Sequence, residues 1–350
     1  MSISSAVDTS AVARAVGVRT NFQNLNSNAA LFLPQRIAVV GQGAEATTYT
    51  TEKYQVTSAQ QVADRYGYGS PLHLAVAQLF PTNGDGVGTI PVTVYPLDAG
   101  AGAVAATGSI TPTINAIIPS TYRVRINNII SEAFVVSSGD TAANVVAAMV
   151  LAISAVLEMP VIATDNNTSV TLTSKWEGAS ANDIFVEVLD ADFGVEFTIV
   201  QMASGSVNPD VNVALNQIGN VWETVILNCL DVGDTAALDK YATFGEGRWG
   251  ALNRKPLIVF SGNTATTVTA ATTVSDARPT DRTNVQLVAP GSKDLPFIVA
   301  ARQLARIVVV ANNNPPHDYG WQRVPGLTPG DDGDQWTYAQ RDQALKKGSS

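Results

Sequence analysis

The run Ile37-Ala38-Val39-Val40, entered from Arg36 and closed by Gly41-Gln42-Gly43, constrains the fold more than any other stretch. A short β-branched apolar run bounded by glycines reads as a strand buried on both faces, as in the middle of a parallel sheet. Such a strand needs helices on both sides, so the surrounding chain must alternate strand and helix. It does so before residue 98 and again after 204. Ser58-Ala59-Gln60-Gln61 reads as a capping box, Val62 and Tyr66 as an apolar edge, and Gly67 as a stop. Ser70 caps a second helix, Pro71 takes its first turn, and Leu72, Val76 and Leu79 form its stripe. A strand is predicted over 90–96. Downstream, helices at 211–218, 235–244 and 264–275 alternate with strands at 224–228, 257–260 and 284–288. Asp294 opens the longest helix, through Ile298, Ala301, Leu304 and Val308, and a last helix is predicted over 337–346. The chain stops at Gly348-Ser349-Ser350 with no closing strand predicted.

Between these halves the character changes. After the linker-like Ala99-Gly100-Ala101-Gly102-Ala103, strand signals follow one another at 106–111, 121–127, 132–136, 170–174, 184–189 and 195–202. One helix interrupts them, opened by Asp140-Thr141 and running to about Leu157. The expected fold class is therefore α/β, a discontinuous, mostly parallel-sheet domain (34–98 plus 204–350) interrupted by a strand-rich α+β insertion domain (99–203). Residues 1–33, small and polar with scattered apolar positions, read as an extended N-terminal arm.

Charge separates the same regions. Residues 99–203 hold ten acids and three bases, a net of −7, out of −9 for the whole chain. The insertion is thus expected to face solvent, and the less charged remainder to pack against partners. The overall acidity argues against a nucleic-acid groove or an anionic membrane as partner. No apolar run is long enough to span a bilayer, and the N-terminus has no secretory pattern. The single cysteine, Cys229, lies in an apolar segment and reads as a buried core thiol in a reducing cytoplasm.

Gly41-Gln42-Gly43-Ala44-Glu45-Ala46 matches the G-x-G-x-x-A dinucleotide fingerprint, which is the alternative reading: an α/β nucleotide- or dinucleotide-binding enzyme using that turn. The fingerprint needs a helix N-terminus at its third small residue. Here Thr47-Thr48-Tyr49-Thr50-Thr51 follows, and the capped helix waits until Ser58. A glycine-rich exit from a central strand is the preferred reading. His73 reads as a helix-surface or packing residue, and His317 beside Asp318 as part of a Pro/Asn loop. The Asp331-Asp332-Gly333-Asp334 cluster reads as a solvated turn, because the full EF-hand pattern is missing. No catalytic residues, cofactor-binding residues, metal ligands or cofactors are assigned, and the chain is not expected to be an enzyme.

Several segments together resemble the tail sheath proteins of contractile-tailed, Mu-like bacteriophages, in the branch with an inserted outer module. They are Leu33-Pro34-Gln35-Arg36 leading into the first strand, Gly67-Tyr68-Gly69-Ser70-Pro71-Leu72, Pro160-Val161-Ile162-Ala163, and Val170-Thr171-Leu172-Thr173-Ser174-Lys175-Trp176-Glu177-Gly178. Pro315-Pro316, Pro325-Gly326-Leu327 and Ala344-Leu345-Lys346-Lys347-Gly348 look like the stretch that leads into the family's last domain. The resemblance implies a virion structural protein that is assembled in the host cytoplasm. Its subunits form homo-oligomeric hexameric rings around an inner tail tube protein and join through arms that add strands to a neighbour's sheet. Baseplate and tail terminator proteins are further implied partners, and contraction drives the tube through the host envelope for genome ejection. The family normally continues past the position of Gly348, so a truncated C-terminal domain is expected.

Overall fold

The computed structural model describes residues 35–349 except 83, 85, 114–118, 190–193, 251 and 314–322. The expected arm at 1–33, and the loop holding His317, lie outside the described residues.

Every residue of β1 (Ile37–Gln42) is buried. Its side chains alternate between two cores, with Ile37 and Val39 in one and Ala38 and Val40 in the other. The chain then forms β2 (Tyr54–Val56), α1 (Ala59–Tyr66), α2 (Pro71–Leu79) and β3 (Val92–Leu97). The strand β2 was not expected, since its threonine-rich approach and three-residue length give no periodic signal. The Ser58 hydroxyl caps α1 by accepting from the Gln61 N–H. The box is displaced by one residue, because the Gln61 side chain accepts from the N–H of Thr57. Ser70 and Pro71 open α2 as the sequence predicts.

Eight strands follow between 105 and 203: β4 (Ala105–Thr113), β5 (Ser120–Ile126), β6 (Ile129–Ile130), β7 (Phe134–Val136), β8 (Val161–Asp165), β9 (Val170–Glu177), β10 (Val186–Leu189) and β11 (Glu196–Ala203). One helix, α3 (Ala142–Ser154), lies among them, capped by Thr141. These strands pair only with one another, in two antiparallel sheets: β10-β5-β6, with β7 also on β5, and β11-β4-β9-β8. The expected strand at 132–136 shortens to β7, β6 was not expected, and β8 was not foreseen because three of its five positions are polar or small.

The alternation then resumes with α4 (Asn212–Ile218), β12 (Val225–Asn228), α5 (Thr235–Trp249), β13 (Ile258–Asn263), α6 (Val268–Asp276), β14 (Asn284–Val288), α7 (Pro296–Asn313) and α8 (Tyr338–Lys346). The six-stranded sheet has the order β14-β13-β12-β1-β3-β2, parallel except for the β2–β3 pair. The protein is thus a mixed α/β structure with parallel and antiparallel sheets. Helices α2 and α7 cover one face through Leu72, Val76, Ile298, Leu304 and Val308. On the other face α4 and α5 contribute Leu215, Ile218, Ala237 and Tyr241. One expectation needs correction: Asp294 ties down a later segment, its Oδ2 accepting from the Thr328 N–H. Ser349 forms an isolated parallel bridge to Gln286 on the outer edge of β14.

Candidate functional site

The strand order reverses at β1, which lies between β3 on one side and β12 on the other. In open α/β sheets the crevice beyond the carboxyl ends at such a reversal is where ligands bind. The glycine turn sits there, so its geometry decides the dinucleotide reading.

The turn's backbone donors are already engaged. The Gly43 N–H donates to the Tyr49 hydroxyl at 3.1 Å, and that hydroxyl donates to the Leu97 carbonyl at 2.9 Å. Ala44 N–H donates to Tyr66 O at 2.7 Å and Glu45 N–H to Lys175 O at 2.8 Å. A phosphate cradle needs such N–H groups free and aimed at one point, with a helix starting behind them. Here the segment after Gly43 is irregular as far as β2. Glycine is required at 43 because a Cβ would overlap the Tyr49 ring, and at 41 because one would press on Cys229. The glycines therefore serve close packing. Burial pushes the Tyr49 phenol up to about 12, against the opposing effect of the Gly43 hydrogen bond.

Residues 175 to 178 also approach this turn, beginning with the Lys175 carbonyl that accepts from Glu45 N–H. Lys175 Nζ donates to Tyr68 O at 3.0 Å and Leu157 O at 2.9 Å. The indole of Trp176 meets Phe297 edge-on, with ring centroids 6.4 Å apart. A Cβ on Gly178 would touch Gln42 Oε1, which is buried and has no partner among the described residues. Nothing in the sequence of β9 announces this role, since the Lys175 carbonyl acts at a turn 130 residues upstream.

The other singled-out residues are placed as follows. Cys229 is buried, as expected, and burial holds its thiol protonated. His73 is a packing residue on α2, and its Nδ1 accepts from the Gly69 N–H at 3.1 Å. Burial lowers its pKa to about 4, with the Lys175 charge adding to the effect. Asp331 to Asp334 form an exposed turn in which Asp331 meets Lys293 at 3.3 Å. Among the described residues there is no group of three or more His, Cys, Asp or Glu side chains placed to hold a metal, and no helix is long and apolar enough to cross a membrane.

Among the described residues the outer edge of β14 carries an isolated bridge, at Ser349, and beside it lies an apolar groove of about 560 Å³ lined by Val288, Leu327, Trp336 and Leu345. Unpaired strand edges and apolar grooves of this kind suit association better than catalysis.

No family model matches the chain. Over 306 residues it is 28% identical to the Mu-like prophage FluMu tail sheath protein of Haemophilus influenzae, covering 85% of this chain and 60% of that protein. The chain thus spans about three fifths of the relative's length. A sheath tail protein of Listeria innocua superposes with a TM-score of 0.40 and 12% identity, over 90% of this chain and 64% of that one. The Haemophilus relative is a tail sheath protein of the Mu-like type that the sequence motifs resemble.

Proposed function

We propose that this chain is the sheath subunit of a contractile phage tail, stacking as hexameric rings around an inner tube protein and contracting to drive that tube through the host envelope. The alignment with the Haemophilus tail sheath protein over most of this chain carries the reading. The filled crevice at the β1 reversal supports it, because the position where an α/β enzyme would bind its ligand is occupied by the protein's own residues. A structural, non-catalytic role follows.

In this reading residues 34–98 and 204–350 form a discontinuous core domain and 99–203 an insertion domain on the tail exterior. Strand pairing supports the division, since the six-stranded sheet draws only on 37–97 and 225–288. Residues 1–33 act as the arm that joins neighbours, and the open edge of β14 is a suitable acceptor for a strand from another subunit. Assembly takes place in the host cytoplasm, the mature location is the virion tail, and baseplate and tail terminator proteins bound the stack.

Immunogold electron microscopy of particles containing this chain tests the proposal. Regular labelling along the outside of a contractile tail is expected. Labelling confined to heads or fibres overturns it, as does saturable NAD(P) binding by calorimetry that Gly43→Val abolishes.

A further inference from the structure

The helix α7 carries Arg302 and Arg306 four residues apart, hence on one face. Arg323 returns to the same place, and the three arginines line a cavity of about 280 Å³ with Gln78, Ala305 and Pro325. Clustered like charges repel, and an anion that meets them relieves the repulsion.

The cavity is built rather than incidental. Arg302 Nη1 donates to Pro325 O at 2.8 Å, which fixes the guanidinium in position. Gly326 lies against its face with φ 82°, where any Cβ would overlap the guanidinium. Arg302 Nε is buried and has no acceptor among the described residues. The nearby Asp294 bears on Arg302, but one of its oxygens is taken by the Thr328 N–H. Arg306 and Arg323 are exposed and make no ion pair among the described residues. By contrast, Lys240, Arg278, Lys346 and Lys347 each meet an aspartate. Three guanidinium groups thus line one cavity on a chain whose net charge is −9.

We propose that the Arg302–Arg306–Arg323 cavity receives carboxylate side chains from residues 99–203 of a second copy of this chain. Guanidinium groups match carboxylates in a planar two-point geometry, which favours this chemistry over a diffuse contact. The partner is chosen by charge complementarity, because residues 99–203 hold −7 of the chain's −9. A nucleic-acid occupant is disfavoured by the chain's net charge of −9. The proposal rests on the reading above that copies of this chain pack together.

The test replaces the two exposed arginines and leaves Arg302 in place, so folding is retained. Arg306→Lys and Arg323→Lys keep the charge and introduce amines that a carbodiimide couples to carboxylates in direct contact. With mixed light and heavy nitrogen copies, mass spectrometry is expected to find mixed-isotope cross-links from position 306 or 323 to acids within 99–203. In sedimentation velocity, the Arg306→Glu/Arg323→Glu double variant is expected to weaken self-association at least tenfold, and added salt to weaken that of the unaltered chain. Cross-links that are absent, within one copy only, or directed to acids elsewhere overturn the proposal. A monomeric unaltered chain, or association unchanged by the double variant, overturns it as well. Regular sheath labelling alongside a failed cross-link defeats the cavity and spares the sheath reading; the expected cross-links without tail labelling do the reverse.

Discussion

Tyr49 is the residue on which the site turns. Its hydroxyl takes the Gly43 N–H and passes the bond to Leu97 O, while its ring occupies the space that glycine leaves open. The sequence shows the absence of a helix after the glycines, which was enough to doubt the fingerprint. It does not show which side chain fills the turn, because a loop tyrosine carries no periodic signal. His73 is the residue whose burial has a measurable consequence. The folded chain keeps it neutral down to about pH 4, whereas the unfolded chain protonates near its ordinary value of 6.5. The unfolded state therefore binds the extra proton between those values. His73 costs no stability above pH 6.5, its cost grows as pH falls from 6.5 to 4, and it is constant below. The total over that window is roughly 3 kcal/mol. In His73→Asn, whose Oδ1 can accept from the Gly69 N–H, the loss of urea-measured stability between pH 7.5 and 4.5 should shrink by roughly 2 kcal/mol. Parallel acid limbs for the two proteins would rule this out.

The elements follow local chemistry where a face is buried and depart from it where a neighbour intervenes. The β1, α2 and β14 assignments needed only periodicity, caps and glycine stops. The α5 helix runs on to Trp249, past the expected end at 244, because Gly245 is not a stop. It lies against Thr283, where a Cβ would overlap the side chain, so the glycine marks a close approach between helix and loop. A tighter approach occurs where β13 meets the start of α7, since a Cβ on Gly262 would fall on the carbonyl of Pro296. Backbone on backbone leaves nothing flexible to yield. Gly262→Ala is expected to destabilise by about 3 kcal/mol or more. Gly247→Ala, in open space on α5, should be neutral or stabilising by up to about 1 kcal/mol. Thermal unfolding of the two variants side by side checks the contrast, and similar midpoints would contradict it.

Across the whole molecule, one apolar cluster runs without a break from the antiparallel sheets to the face covered by α2 and α7. Polar ties reinforce it at several points. Asn127 Nδ2 donates to Lys293 O at 3.0 Å, Lys293 Nζ lies 3.6 Å from Glu187, and Lys175 holds Tyr68 O. The 99–203 stretch is therefore expected to unfold together with the rest, in a single calorimetric transition. Lys175→Met removes the ammonium that binds Tyr68 O and Leu157 O. It should cost about 1–3 kcal/mol and speed proteolysis at 99–104 and 204–207. Unchanged cleavage rates would mean that Lys175 does not hold these parts together.

The strand at 37–42, the caps at Ser58 and Ser70, and the concentration of acid between 99 and 203 are properties of the sequence itself. They depend on burial periodicity, on hydrogen bonds a few residues long, and on composition. The fate of the glycine turn depends on Tyr49, Tyr66 and Lys175 arriving together, and the arginine cavity on a chain that leaves α7 and comes back at 323. Such meetings are through-space contacts between distant segments, to which no local pattern is tied. Only the tertiary structure could decide that a turn spelling a cofactor motif is packed shut by its own chain.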